Sequence, residues 1–187
     1  MFALLIIDQQ QGIDAPELGA RNNPNAQSTI LALLSHWRQL NWPVIHVRHN
    51  SHDIHSVFWA QKDSFNFKPA FVPDAREHLI EKRTPCAFTA TALAQLLDQL
   101  HVEALVITGA STNNSVEATA RSAGNFGYRT LVVEDACFAF DKRDYAGVAR
   151  SAEEVHNMSL ANLDGEYATV LSHSELLSQL NTGHQDD

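Results

Sequence analysis

The chain has 187 residues, 44% of them hydrophobic, which is enough for one ordinary domain with a substantial core. Its formal net charge of -9 argues against a nucleic-acid partner, because a phosphate backbone needs a basic face. No apolar run approaches the roughly 20 residues that span a bilayer, and no polybasic patch points to a membrane surface. In chain order, Phe2 to Ile7 is a continuous apolar run ending in Asp8, the pattern of a strand buried on both faces, and not of a leader peptide. Ala26 to Leu40 places Ile30, Leu31, Leu33, Leu34, Trp37 and Leu40 on one helical face. Pro43 to Arg48 is predicted as the second strand and Leu79 to Lys82 as the third. Residues 49–78 lie between them, rich in His and aromatic residues but without a period, and read as a long functional loop, either a lid or an oligomer contact. Thr89 to Leu100 is predicted helical, Ala104 to Thr108 a strand broken by Gly109, and Val116 to Phe126 a helix ending at Gly127. Thr130 to Glu134 reads as a strand, Tyr145 to Leu163 as a long helix and Ala168 to Leu171 as the last strand.

Strands that alternate with helices of ten or more residues ask for parallel pairing. The expected fold is therefore a three-layer α/β/α sandwich on a mostly parallel, doubly wound sheet. One domain over residues 1–180 and a polar, frayed tail over 181–187 are expected. Only Cys86 and Cys137 are present, too few for a disulfide framework, so a reducing cytoplasm is the expected location.

Ligands of open α/β sheets sit beyond the carboxyl ends of the strands. The residues expected there are Asp8 to Gln11, Arg48 to Asn50, Lys82 to Arg83, Gly109 to Ser115 and Asp135 to Phe138. Asp8 is costly to bury alone, and Lys82 is a suitable partner for it. A lone Asp there would ordinarily be a cap, and a lone Lys a solvated cation. Gly109 to Ser115 is a tight polar turn leading into a helix, whose first N–H groups either hold an anion or are simply capped by Thr112, Asn113 or Asn114. No Gly-x-Gly-x-x-Gly follows the first strand, so a nucleotide-binding reading is set aside.

Leu4-Leu-Ile-Ile-Asp-Gln-Gln-Gln11, Lys82 with Phe88-Thr-Ala-Thr-Ala-Leu93, Val106-Ile-Thr-Gly-Ala-Ser-Thr-Asn-Asn-Ser-Val-Glu-Ala-Thr-Ala120 and Gly127-Tyr-Arg-Thr-Leu-Val-Val-Glu-Asp-Ala-Cys137 occur in this order. Together they resemble the isochorismatase-like hydrolases, cysteine hydrolases that include nicotinamidases, N-carbamoylsarcosine amidases and isochorismatases. The resemblance runs from Phe2 to about Leu177. It implies a catalytic Asp8, a catalytic Lys82 and a nucleophile at position 115. It also implies a cis peptide at Ala110–Ser111 that turns the N–H groups of Ser111 and Ser115 toward an oxyanion. Gln10, Arg48, Trp59, Phe88 and Asn114 are expected to face a small-molecule substrate.

The departure is Ser115, where amidases of this family carry Cys. A hydroxyl is far less acidic than a thiol. Three outcomes are open: a slow serine nucleophile acting on a small amide or a related C–N or C–O bond, non-covalent vinyl-ether hydrolysis, or a silent binding domain. Cys86 and Cys137 read as small packing residues. His46, His49, His52 and His55 have ligand-like spacing. The Asp-x-His metal motif of nicotinamidases falls at His49 and Ser51 and is broken, and Asp53-Ile-His55 sits further into the loop, so no metal or other cofactor is expected. A homo-oligomer is expected, from Phe58, Trp59, Phe65, Phe67 and Phe71 in the loop.

Overall fold

The computed structural model describes residues 1–182. Six parallel strands form the central sheet: β1 (Phe2–Ile7), β2 (Val44–His49), β3 (His78–Lys82), β4 (Ala104–Ala110), β5 (Arg129–Phe138) and, after the small strands described below, β8 (Thr169–Leu171). Their spatial order is β3-β2-β1-β4-β5-β8. From β1 the chain builds outward one way through β2 and β3, then returns beside β1 with β4 and builds the other way. The order therefore reverses between β1 and β4, and a crevice opens at their carboxyl ends.

Both faces of the sheet are covered, so its inner strands are apolar at nearly every position. Leu5 and Ile7 face one layer with Leu93 and Leu97 of α2 (Leu93–Gln99), Ala120 and Ala123 of α3 (Glu117–Asn125) and Leu160 and Leu163 of α4 (Ala152–Leu163). Leu4 and Ile6 face the other with Ile30, Leu33, Leu34 and Trp37 of α1 (Ala26–Leu40) and Leu176 and Leu180 of α5 (His173–Thr182). The three-layer α/β/α expectation holds. No helix among the described residues is long and apolar enough to cross a membrane.

Several boundaries differ from the sequence reading. The α2 helix starts at Leu93 instead of Thr89, because Ala90 takes a left-handed conformation (φ 54°) and the Thr91 hydroxyl bonds the Ala87 carbonyl. The expected helix from Tyr145 begins only at Ala152. Before it lies a hairpin of β6 (Lys142–Arg143) and β7 (Ala149–Arg150), closed by the Asp144 carboxylate, which accepts from the amides of Ala146 (3.0 Å) and Val148 (2.9 Å). Ser151 and Glu154 cap α4 reciprocally, a Ser-x-x-Glu box legible in the sequence. Ser172 and Glu175 repeat the pattern at α5, an element with no counterpart in the sequence reading. Helix α5 continues to Thr182, two residues into the expected tail; residues 183–187 of that tail lie outside the described residues.

The 49–78 segment is neither a free lid nor a band of exposed rings. It is pinned to the chain after β1 by the Gln11 amide on the Asn66 carbonyl (2.8 Å) and the Lys68 amide on the Gln9 carbonyl (3.1 Å). Phe65, Phe67 and Phe71 are buried within the chain, so they cannot supply the self-association surface expected of them. The base of the segment is tied by Glu77. Its carboxylate accepts two bonds from the Arg38 guanidinium (2.7 and 3.0 Å), one from the Asp74 amide (2.8 Å), and lies 2.9 Å from His46 Nε2.

Burial raises the Glu77 pKa, but Arg38, the Asp74 amide and His46 outweigh it and hold the carboxyl at about 2, against an ordinary 4.5. A carboxyl depressed in the folded state stabilises it above the unfolded value, and that stabilisation is lost as the pH falls toward 2. Glu77→Gln is expected to lower stability by about 3 kcal/mol at pH 7 and by only about 1 kcal/mol near pH 3. Urea midpoints at the two pH values check this, and a gap independent of pH would contradict it.

Candidate active site

Four neighbouring strands each deliver one reactive group to the crevice. Asp8 follows β1 and takes the left-handed conformation (φ 54°), which Asp tolerates better than most side chains. His49 and Lys82 end β2 and β3 and are register partners, so they project from the same face of the sheet. Ser115 lies on the turn Thr112–Val116 between β4 and α3. The end of β4 that leads into this turn lies close against β1. Gly109 has φ 116°, and a Cβ there would meet the Ile7 backbone, with the amide nitrogen at 2.7 Å, so no other residue fits.

Lys82 joins the groups. Its Nζ donates to Asp8 Oδ2 (2.9 Å) and to Ser115 Oγ (3.1 Å). Lys82 is 1% exposed, and Asp8 and Ser115 are each 5% exposed. The second carboxylate oxygen, Asp8 Oδ1, is buried and has no hydrogen-bond partner among the described residues. The Ala110–Ser111 peptide is cis. A cavity of about 400 Å³ adjoins this group, lined by Asp8, His49, Arg83, Ser111, Asn114 and Ser115 and walled by Ile13, Leu18, Phe58, Pro85 and Phe140. A larger cleft of about 780 Å³ runs between the β6–β7 hairpin and α4, but the smaller cavity is the one bordered by buried ionisable groups.

The Thr112–Val116 turn is held from behind. Thr112 Oγ1 lies 2.8 Å from His156 Nδ1, and the Ser159 hydroxyl donates to the Thr112 carbonyl (2.9 Å), so α4 anchors the backbone that presents Ser115. Burial lowers the His156 pKa, only partly opposed by Glu153, which favours the neutral ring. His156 and Ser159 escaped the sequence reading, since nothing local marks a helix residue as the anchor of a turn more than 40 positions away.

Of the residues expected to face substrate, Asn114 lines the cavity and four do not. Gln10 instead clamps backbone. Its Nε2 donates to the carbonyls of His49 (3.0 Å) and Phe65 (2.8 Å), and its Oε1 accepts from the His49 amide (2.8 Å). Arg48 stacks on the Phe65 ring (4.5 Å) and donates to its cross-strand partner Glu81 (3.0 Å). Trp59 is half-buried with its amide on Ser56, and its neighbour Phe58 lines the cavity in its place. Phe88 packs on Phe126 (5.2 Å) and Tyr128 (6.1 Å), on the α2–α3 side.

Neither cysteine replaces the missing thiol. Cys137 is fully buried, and burial pushes its thiol up to about 12. Cys86 Sγ donates to Ser122 Oγ (3.1 Å). The four histidines diverge: His46 faces Glu77, His49 lines the cavity, His52 meets Arg83, and His55 is exposed.

The family profile described as the Isochorismatase domain matches residues 2–175. An uncharacterized isochorismatase family protein of Bacillus subtilis, YrdC, is 35% identical over 182 residues, 97% of each chain. The maleamate amidohydrolase of Pseudomonas putida is 30% identical over 194 residues, covering 95% of this chain and 86% of its own. A crystal structure assigned to the isochorismatase family, from Chromobacterium violaceum, superposes with a TM-score of 0.92 at 46% identity, covering 96% of this chain and 93% of that one.

Proposed function

The chain belongs to the isochorismatase family of hydrolases, and on that premise we propose that it hydrolyses a small amide or a related C–N or C–O bond through Asp8, Lys82 and Ser115. One observation carries the reading: a buried ammonium bridges a carboxylate and a hydroxyl beside a cavity, while the other carboxylate oxygen stays unpartnered. Because Lys82 donates to Ser115 Oγ, the hydroxyl proton is not engaged by the ammonium, and a side-chain rotation that brings Oγ to the unpartnered Asp8 Oδ1 would hand the proton over. As that proton moves, Oγ attacks the amide carbon, and the new oxyanion is met by backbone N–H groups of the turn, those of Ser111 and Ser115. The C–N bond then breaks, and the leaving amine takes the proton from Asp8. Water adds to the acyl-serine, giving a proton to Asp8, and the carboxylic acid departs as that proton returns to Oγ. Lys82 holds the charge on both oxygens throughout.

The test is ammonia release from a panel of small amides, with Ser115→Ala as comparison. Wild-type turnover that falls at least 100-fold in the variant is expected. Turnover that survives Ser115→Ala would favour the non-covalent route, and binding without turnover would favour a silent domain.

Of the five rings expected to carry self-association, three are buried and Phe58 and Trp59 are half-buried, which leaves exposed apolar side chains elsewhere as candidates. Tyr145 and Val148 at the β6–β7 hairpin and Met158 on α4 are exposed, and we propose that they carry it. A light-scattering mass near twice 20.7 kDa supports this, and a single-chain mass at micromolar concentration ends it.

A further inference from the structure

The Thr112–Val116 segment is wound as a π-helix, and the Val116 amide bonds the Ser111 carbonyl five residues back (3.2 Å). The same carbonyl accepts from the Asn114 amide (3.0 Å), so it serves the residues on either side of Ser115. Such windings are rare, run for a single turn and sit frequently at functional sites. Where Ser115 and its N–H point therefore depends on how Thr112 enters the turn.

Thr112 is fully buried. Its carbonyl accepts from the Glu117 amide and the Ser159 hydroxyl, and its own hydroxyl meets His156 Nδ1 at 2.8 Å. His156 lies on the inward face of α4 with Leu160 and Leu163 and is 2% exposed. An apolar side chain would satisfy that face by area alone, whereas a polar ring is costly there unless it is bonded. The far side of the ring is met by Asn23, whose Nδ2 lies 3.5 Å from His156 Nε2 and donates to the carbonyls of Glu134 (3.0 Å) and Cys137 (2.7 Å). Two carbonyl acceptors fix which end of the Asn23 amide faces them, and so hold it steady beside the ring. Asn22 adds a second stitch: its Oδ1 accepts from the Ala139 amide (2.8 Å) and its Nδ2 donates to Glu153 of α4 (3.2 Å). The end of β5, helix α4 and the turn are thus tied into one buried column of polar contacts, and a satisfied network of this kind specifies a single arrangement.

Resting on the amide-hydrolase reading, we propose that His156 is a positioning residue: its bond to Thr112 Oγ1 sets the winding that aims Ser115 and its N–H at the cavity.

Matched variants test this in the full chain, with the amide that the wild type turns over fastest as substrate. His156→Leu fills similar space without the bond. It is expected to lower kcat by about 100-fold with KM within about threefold, because alignment is lost and the pocket is kept. His156→Asn keeps a polar atom near the place of Nδ1 and is expected to recover about tenfold of that loss. Thr112→Val removes the other end of the bond and is expected to cost as much as His156→Leu, and the double variant no more than either. Thr112→Val carries the test if His156→Leu fails to fold. Leu180→Ala, in the core layer on the opposite face of the sheet, controls for lost stability alone and is expected to leave kcat within about twofold. The ¹H–¹⁵N resonances of Ser111 and Ser115 need no turnover. They are expected to move alike in His156→Leu and Thr112→Val and to return toward the wild type in His156→Asn. Additive losses in the double variant, no recovery with asparagine, an equal fall in kcat for Leu180→Ala, or unmoved resonances overturns the proposal. Where the wild type turns over no amide, the resonances decide alone: shared, asparagine-reversed shifts sustain the positioning role while the hydrolase falls.

Discussion

Lys82→Met is expected to lower stability by about 3–5 kcal/mol and to abolish turnover. Removing one member of a buried ion pair leaves the other charge without compensation, at a cost larger than the pair itself contributes. Here the residue lost is 1% exposed and serves two partners, Asp8 and Ser115. Methionine keeps the length of the stem, so the expected loss is electrostatic instead of a packing cavity. For a domain of this size each kcal/mol moves the melting temperature by about 2–4 °C, which puts the fall at roughly 6–20 °C. Asp8→Asn in the same chain removes the stranded carboxylate and is expected to restore much of the stability but none of the activity. Thermal melts of the two single variants and the double variant give the coupling directly. Additive losses would show that the two groups do not act as a pair.

The strand-end logic explains why the centre of this site was legible in the sequence. Asp8 follows an apolar run long enough to mark a buried strand, Ser115 lies on the turn after another, and Lys82 ends the short third strand read at Leu79 to Lys82. The strand order then brings those ends together at the reversal between β1 and β4. Arg48 was misread because its destination depends on register. Only the pairing of Arg48 with Glu81 across β2 and β3 shows that the guanidinium already has a carboxylate. Gln10 was misread because its three partners are backbone groups 39 and 55 positions away, and nothing local announces a clamp. The path of 49–78 has the same origin, since it is set by contacts with Gln9 and Gln11 and by burial of Phe65, Phe67 and Phe71. The late start of α4 was legible in principle through its Ser151–Glu154 box.

Ser115→Cys is expected to raise amidase kcat/KM by at least 100-fold, and it probes what the site was shaped to do. The surroundings of Ser115 are those a thiolate would want: an ammonium 3.1 Å from Oγ that also holds the Asp8 carboxylate, whose second oxygen has no partner among the described residues. A thiol of ordinary pKa near 8.5 gives up its proton far more readily than a serine hydroxyl, and a neighbouring cation favours the charged form further. Asp8 is a weaker base than the histidine that activates serine in many hydrolases, so proton removal is the step most exposed to the hydroxyl's low acidity. The added sulfur is slightly larger than oxygen, and the cavity of about 400 Å³ beside it leaves room to accommodate the difference. Iodoacetamide labelling gives an independent reading. In the wild type only Cys86 and Cys137 are available, one held on Ser122 and the other fully buried with its thiol near 12, so labelling should be slow. In the variant a fast-labelling thiol should appear, with its rate already high below pH 7. A folded variant that labels quickly yet cleaves amides no faster than wild type would mean that the cavity does not present a carbonyl to position 115. The covalent route would then be abandoned for vinyl-ether hydrolysis assisted by Asp8. If the variant neither labels quickly nor gains activity, Lys82 and Asp8 do not activate a nucleophile at all, and the silent binding domain becomes the better account.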